Sequence, residues 1–142
     1  GMCWECRNTF ISDCKWEGCG ELSKDYWTGI EKRAKTGNYQ LDISIEQAWE
    51  LFLKQNRNCA LSGVEITFPK RRRSLRKVGR GTASLDRKDS SGIYALNNVQ
   101  WVHKDVNTLK GKFRDDELIY WCKLITECQN NKGQNDLTKP NF

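Results

Sequence analysis

Apolar positions along the chain change period several times, and each change marks an element. From 21 to 36, Leu22, Tyr26, Ile30 and Ala34 recur every fourth residue and Trp27 adds a three-residue step to Ile30, which predicts a helix ended by Gly37-Asn38. A second helix is predicted from Ser44, where Gln47 stands at capping-box spacing; Ile45, Ala48, Trp49 and Phe52 make its stripe, and it stops near Asn56. Residues 59 to 63 and 64 to 68 read as a short hairpin, and 69 to 81 have no period at all. Two strands follow, ThrAlaSerLeuAsp ending at Asp86 and AsnValGlnTrpVal opening at Asn98, with Asn107 one turn into a helix beyond them. A last helix, opened by Asp115 or Asp116, places Leu118, Trp121, Cys122, Ile125 and Cys128 on one face; the polar tail from Gln129 is expected to fray. This order predicts an α+β fold, and no internal repeat is visible.

Composition sets limits on that fold. A chain of 142 residues suits one domain with a small appended module, and 37% hydrophobic against 30% charged residues allows only a modest core. A core of that size usually needs a staple. The six Trp residues, mostly on predicted apolar faces, are expected to pack inside. No apolar run approaches a membrane span and MetCysTrpGluCysArg is no signal peptide, so a soluble, cytoplasmic protein without a membrane partner is expected. In a reducing compartment, seven cysteines are better read as thiols and metal ligands than as disulfides.

Four of those cysteines, Cys3, Cys6, Cys14 and Cys19, lie in the first twenty residues at spacings that can close a tetrahedral Zn²⁺ site. Such a zinc would supply on the order of 10 kcal/mol to a segment with little core of its own. Cys122 and Cys128 do not share a helix face well and are read as helical core thiols.

Charge singles out another region. Between Lys70 and Lys88 there are nine Lys or Arg residues and one acid, Asp86, within a chain of net charge +6. Lys70, Arg71, Arg72, Arg73, Arg76, Lys77 and Arg80 would suit a nucleic-acid backbone, each neutralised phosphate adding roughly 0.9 to the salt slope of binding. The bland alternative is a solvated loop. Adjacency to the strand ending at Asp86 favours the first.

The stretch from 84 to 111, SLDRKDSSGIYALNNVQWVHKDVNTLKG, carries the chemistry. Asp86 precedes Asn98 by twelve positions and Asn98 precedes Asn107 by nine. Two strands closed by a helix would bring Asp86 and Asn107 together, two hard oxygen donors suited to Mg²⁺ or Mn²⁺. With CysAlaLeuSerGly at 59 to 63 and TrpGluLeuPhe at 49 to 52, this stretch resembles the HNH, or ββα-metal finger, endonucleases, in particular small phage and bacterial proteins with a SerLeuAspArg motif. The resemblance runs from about Gly20 to Cys128. It implies a nuclease-like domain over 21–128 with its basic loop at 69–81 and its finger at 82–111, which leaves the cysteine-spaced zinc module over 1–20 and a polar tail over 129–142 on either side.

It also implies roles. Asp86 and Asn107 would hold one catalytic metal ion, and Asn98 would order the loop and the base. Arg87 departs from the family, which usually has a His there as general base, a task an Arg cannot perform near neutral pH. Three alternatives stand. Arg87 clamps the phosphate while Asp89, Tyr94 or a metal-bound hydroxide is the base; the subfamily has its own mechanism; or the site is inactive. Asp89 is equally readable as a loop-ordering Asx residue. His103, the single histidine, occupies with Cys59, Ser62 and Val106 the positions where many relatives hold a stapling zinc, so it is read as structural before it is read as a base. Lys110 is divided between phosphate contact and the helix C-terminus.

The resulting expectation is a metal-dependent DNA endonuclease or nicking enzyme of phage or mobile-element type, working in a bacterial host's cytoplasm. A symmetric double-strand cut would imply a homodimer. The alternatives are an inactive finger that binds DNA, and a zinc-ribbon adaptor that binds another protein.

Overall fold

The computed structural model describes residues 18–69 and 81–136. Cys3, Cys6, Cys14 and the basic arm from Lys70 to Arg80 therefore lie outside the described residues, as do Trp4 and Trp16. Within them the fold is mixed α+β, with four helices and three two-stranded sheets.

A short hairpin, β1 (Gly18–Cys19) with β2 (Leu22–Ser23), precedes α1 (Lys24–Thr36). The predicted helix thus starts later than 21, because Ser23 caps it: its Oγ accepts the Tyr26 N–H at 3.2 Å. Leu22 is buried from a strand instead of a helix. Trp27, Ile30 and Ala34 form the inner face of α1, and Gly37 and Asn38 end it as expected. β3 (Leu41–Asp42) was not expected. The capping box of α2 (Ile45–Lys54) is present in both directions, Ser44 and Gln47 exchanging bonds of 3.0 and 3.1 Å, and Ile45, Ala48 and Phe52 are buried.

The hairpin expected over 59–68 shrinks to one bridge, Asn58 with Glu65, because Cys59 to Gly63 fold into a tight turn. Ile66 and Phe68 nevertheless reach the core. β4 (Ala83–Arg87) then pairs antiparallel with β6 (Val99–His103), while β5 (Tyr94–Ala95), in the loop between them, pairs parallel with β3. Helices α3 (Lys104–Lys110) and α4 (Asp115–Asp136) complete the described residues, so the tail expected to fray from Gln129 continues as helix to Asp136.

The β4–β6 ribbon organises what surrounds it. In antiparallel register Leu85 faces Trp101 and Asp86 faces Gln100, so side chains alternate between two layers. One layer, with Ala83, Leu85, Val99 and Trp101, meets Phe52 and Phe68 in an aromatic core where the Phe68 and Trp101 centroids are 5.0 Å apart. The Trp101 indole N–H donates to the Ala48 carbonyl at 2.7 Å, and the Gln55 amide exchanges two bonds with the Trp101 backbone, locking β6 under α2. Trp27 and Trp101 pack inside as expected and Trp49 in part, whereas Trp121 is exposed. Cys122 and Cys128, expected in the core, are exposed on α4.

Among the described residues no helix is long and apolar enough to cross a membrane.

Candidate active site on the strand–loop–strand–helix unit

The second layer of the ribbon is mainly polar, with Asp86 and Gln100 buried in it. Ser84, Asp86, Gln100 and Val102 share it, and α3 lies over them. Residues three apart on a helix share a face, as do residues two apart on a strand. Asn107 and Lys110 therefore descend onto Ser84 and Asp86: Asn107 Nδ2 donates to Ser84 Oγ at 2.7 Å, and Lys110 Nζ to Asp86 Oδ2 at 2.6 Å.

Lys110 decides the character of the site. Its side chain is 0% exposed, and its ammonium sits 2.6 Å from Asp86 Oδ2, 2.7 Å from Asp115 Oδ1 and 3.2 Å from the Lys88 carbonyl, and donates also to the Arg87 carbonyl. Gln100 Nε2 adds donors to both carboxylates at 2.9 to 3.0 Å. Gly111, at φ +52, lets α3 stop after Lys110 and swing the chain back so that Asp115 arrives at the same ammonium. Among the described residues no buried side-chain nitrogen or oxygen lacks a partner. A cation enclosed by four oxygens, two of them anionic, meets the condition under which a buried charge is tolerated. The expectation that Lys110 contacts nucleic acid or only the helix end is corrected: it is an interior counter-ion.

This arrangement bears on the expected metal. Asp86 and Asn107 do face one strand–helix interface, but each is engaged by another group, and among the described residues no three His, Cys, Asp or Glu side chains gather around one point. As arranged, the donor set does not fit a divalent ion; Lys110 holds that place.

The loop from Lys88 to Asn97 is built around Asn98. Its Oδ1 accepts the Asp89 N–H, and its Nδ2 donates to the carbonyls of Asp89 and Ile93, all at 3.0 Å. Gly92 is pressed against this amide so closely that a Cβ there would come within 2.7 Å of Nδ2. Asp89 takes the Asx role: its Oδ1 accepts the Ser91 hydroxyl at 2.6 Å and the Ser91 N–H at 2.9 Å, which holds its carboxyl below the usual range and makes it a poor base.

Arg87 points into the opposite layer from Asp86. Its guanidinium lies 4.1 Å from the Tyr39 ring centroid and 5.0 Å from that of Tyr94, and donates to the Gly92 carbonyl at 2.8 Å. Arg87 and Tyr94 are thus brought together, away from Asp86. His103 also lies in the layer opposite Asp86, and its Nδ1 accepts the Asp105 N–H at 3.2 Å as the cap of α3. Cys59, as expected, meets the chain at His103. Burial pushes its thiol up, but hydrogen bonds from the Ser62 side chain and the backbones of His103, Ser62 and Leu61 outweigh that and hold it below the usual range. Val106 packs against the core. Cys19 is buried on β1.

Lys110, Gln100, Asp115 and Ser84 belong to this cluster, and sequence reasoning gave none of them that place. Two signals were available: Lys110 stands three after Asn107 on one helix, and Gln100 lies just inside the strand that opens after Asn98.

No family model matches the chain, and no curated protein or solved structure matches it either.

Proposed function

We propose that this chain is an endonuclease of the ββα-finger type that cleaves or nicks DNA, with Asp86 as its central acid. The observation that carries the reading is the strand–loop–strand–helix unit in which Asp86 and Asn107 face one interface while Asn98 ties the intervening loop. Nine cations between Lys70 and Lys88 supply the electrostatic reason for a phosphate backbone as ligand. Mg²⁺ or Mn²⁺ dependence belongs to the proposal, and it requires the Lys110 ammonium to withdraw from Asp86. Arg87, stacked on Tyr39 and Tyr94, serves in this reading to fix the loop.

A second reading, a finger that binds DNA without cutting it, is favoured by one specific observation, the Lys110–Asp86 contact. Zinc on Cys3, Cys6, Cys14 and Cys19 is common to both.

Nicking of supercoiled plasmid with Mg²⁺, Mn²⁺ or EDTA separates them. The nuclease reading expects divalent-dependent nicking that Asp86→Ala abolishes, and nicking unaffected by Asp86→Ala would sink it. Salt-sensitive binding with no cleavage under either ion selects the second reading.

A further inference from the structure

The C-terminal end of α1 borders an open cleft of about 520 Å³, lined by Glu31, Lys35, Asn38, Tyr39, Gln40 and Leu41. Its aromatic wall is held rigidly. Asn38, at φ +59, turns the chain so that its own N–H reaches the Lys35 carbonyl at 3.2 Å and the Tyr39 N–H reaches that of Ala34 at 2.8 Å, the paired bonds of a Schellman ending. The Tyr39 ring then lies against Gly37 so closely that a Cβ there would come within 2.5 Å of it. The Arg87 guanidinium stacks on the same ring at 4.1 Å and is flanked in turn by Tyr94. Fixed by Gly37 and Arg87, Tyr39 is still 46% exposed where it lines the cleft.

We infer that this cleft takes an unpaired base of a DNA strand, stacked on Tyr39. Every nucleobase has a π-face, so a ring fixed beside an open cleft is a general receiver for a base. Inside a duplex both faces of each base are covered by its neighbours, and only a base that is single-stranded or turned out of the stack can reach such a ring. The other side chains suit the same ligand. Asn38 and Gln40 carry both donors and acceptors for base edges, and Glu31 is an acceptor for an exocyclic amine. Lys35, in the last turn of α1, offers a cation to the adjoining phosphate and offsets the partial negative charge of the helix end. The volume lies within the range of sites that hold small organic ligands.

Arg87 connects the cleft to the finger, because it follows Asp86 directly and ends β4. A strand with one base on Tyr39 therefore passes beside the end of the ribbon that carries the central acid. The inference rests on the reading of DNA as ligand and adds the state of the DNA, with at least one base unpaired.

Fluorescence anisotropy on the full chain in EDTA tests it, where no divalent-dependent cleavage intervenes. Three labelled probes are compared: an oligothymidylate of about twelve nucleotides, the same sugar-phosphate strand without bases, and a duplex of equal length. The wild-type chain should hold the thymidylate about tenfold more tightly than the abasic strand, as one stacked base provides. Tyr39→Leu should close that gap while leaving the affinities for the abasic strand and the duplex unchanged, and Tyr39→Trp should preserve it. Equal binding of thymidylate and abasic strand by the wild type, or a gap that survives Tyr39→Leu, overturns base stacking while DNA binding stands. A fall for all three probes alike in Tyr39→Leu also overturns it, since the ring would then act only by holding Arg87 and its loop. No binding of any probe by the wild type overturns the inference and the DNA reading together.

Discussion

Lys110 and Trp121 stand eleven residues apart and occupy each other's customary environments. The lysine is sealed inside with Asp86, Gln100 and Asp115, while the tryptophan and its apolar neighbours face water. Burial of apolar surface drives folding, and burial of charge opposes it unless partners are complete. Where the two are inverted within one chain, folding alone does not account for the residues. The inversion at Lys110 is compensated within the chain by four oxygens, two of them from carboxylates. The inversion on α4 has no compensation among the described residues.

The contrast can be broken by substitution. Lys110→Met should have the largest effect, a loss of about 3 to 5 kcal/mol in denaturant unfolding, since two carboxylates would remain without their cation. Adding Asp86→Asn and Asp115→Asn should recover most of it; no recovery would mean the lysine acts through its alkyl stem alone. Asn98→Ala comes next, at about 1 to 2 kcal/mol, with faster amide exchange at Asp89. The cost is smaller because the loop is exposed and water can replace some of the lost bonds. Ile125→Ser, measured where the chain is dilute and monomeric, should change stability by less than about 0.5 kcal/mol. A core-sized loss there would show that α4 is covered from within its own chain.

Legibility in the sequence followed the range of the interactions involved. Capping at Ser44, the stop at Gly37 and the strands ending at Asp86 and opening near Asn98 are local, and each could be read from residue type and spacing. The β3–β5 pair could not, because Leu41 and Tyr94 are far apart and neither strand has enough residues to show a period. The site divides the same way. Asn98 orders its loop through bonds to Asp89 and Ile93, all within nine residues. Lys110 escaped because its fate depends on Asp86 and Asp115 arriving from two other elements, and a lysine is seldom an interior residue. Arg87 was recognised as a departure from the expected pattern, but the Tyr39 ring it rests on comes from far upstream in the chain.

The loop between β4 and β6 is anchored at three points to chain far upstream. Tyr94 donates its N–H to the Gln40 carbonyl, β5 pairs with β3, and Arg87 rests on Tyr39. Bringing Leu41 to Tyr94 closes a segment of some fifty residues, at an entropic cost on the order of 3 to 4 kcal/mol. The loop rests on Tyr39 to Asp42, the segment that α1 and α2 flank. Residues 82 to 111 are for that reason no autonomous module: cut out as a peptide, or grafted onto another protein, they would carry Asp86, Asn98 and Asn107 in the right order and leave behind the ground on which the loop stands.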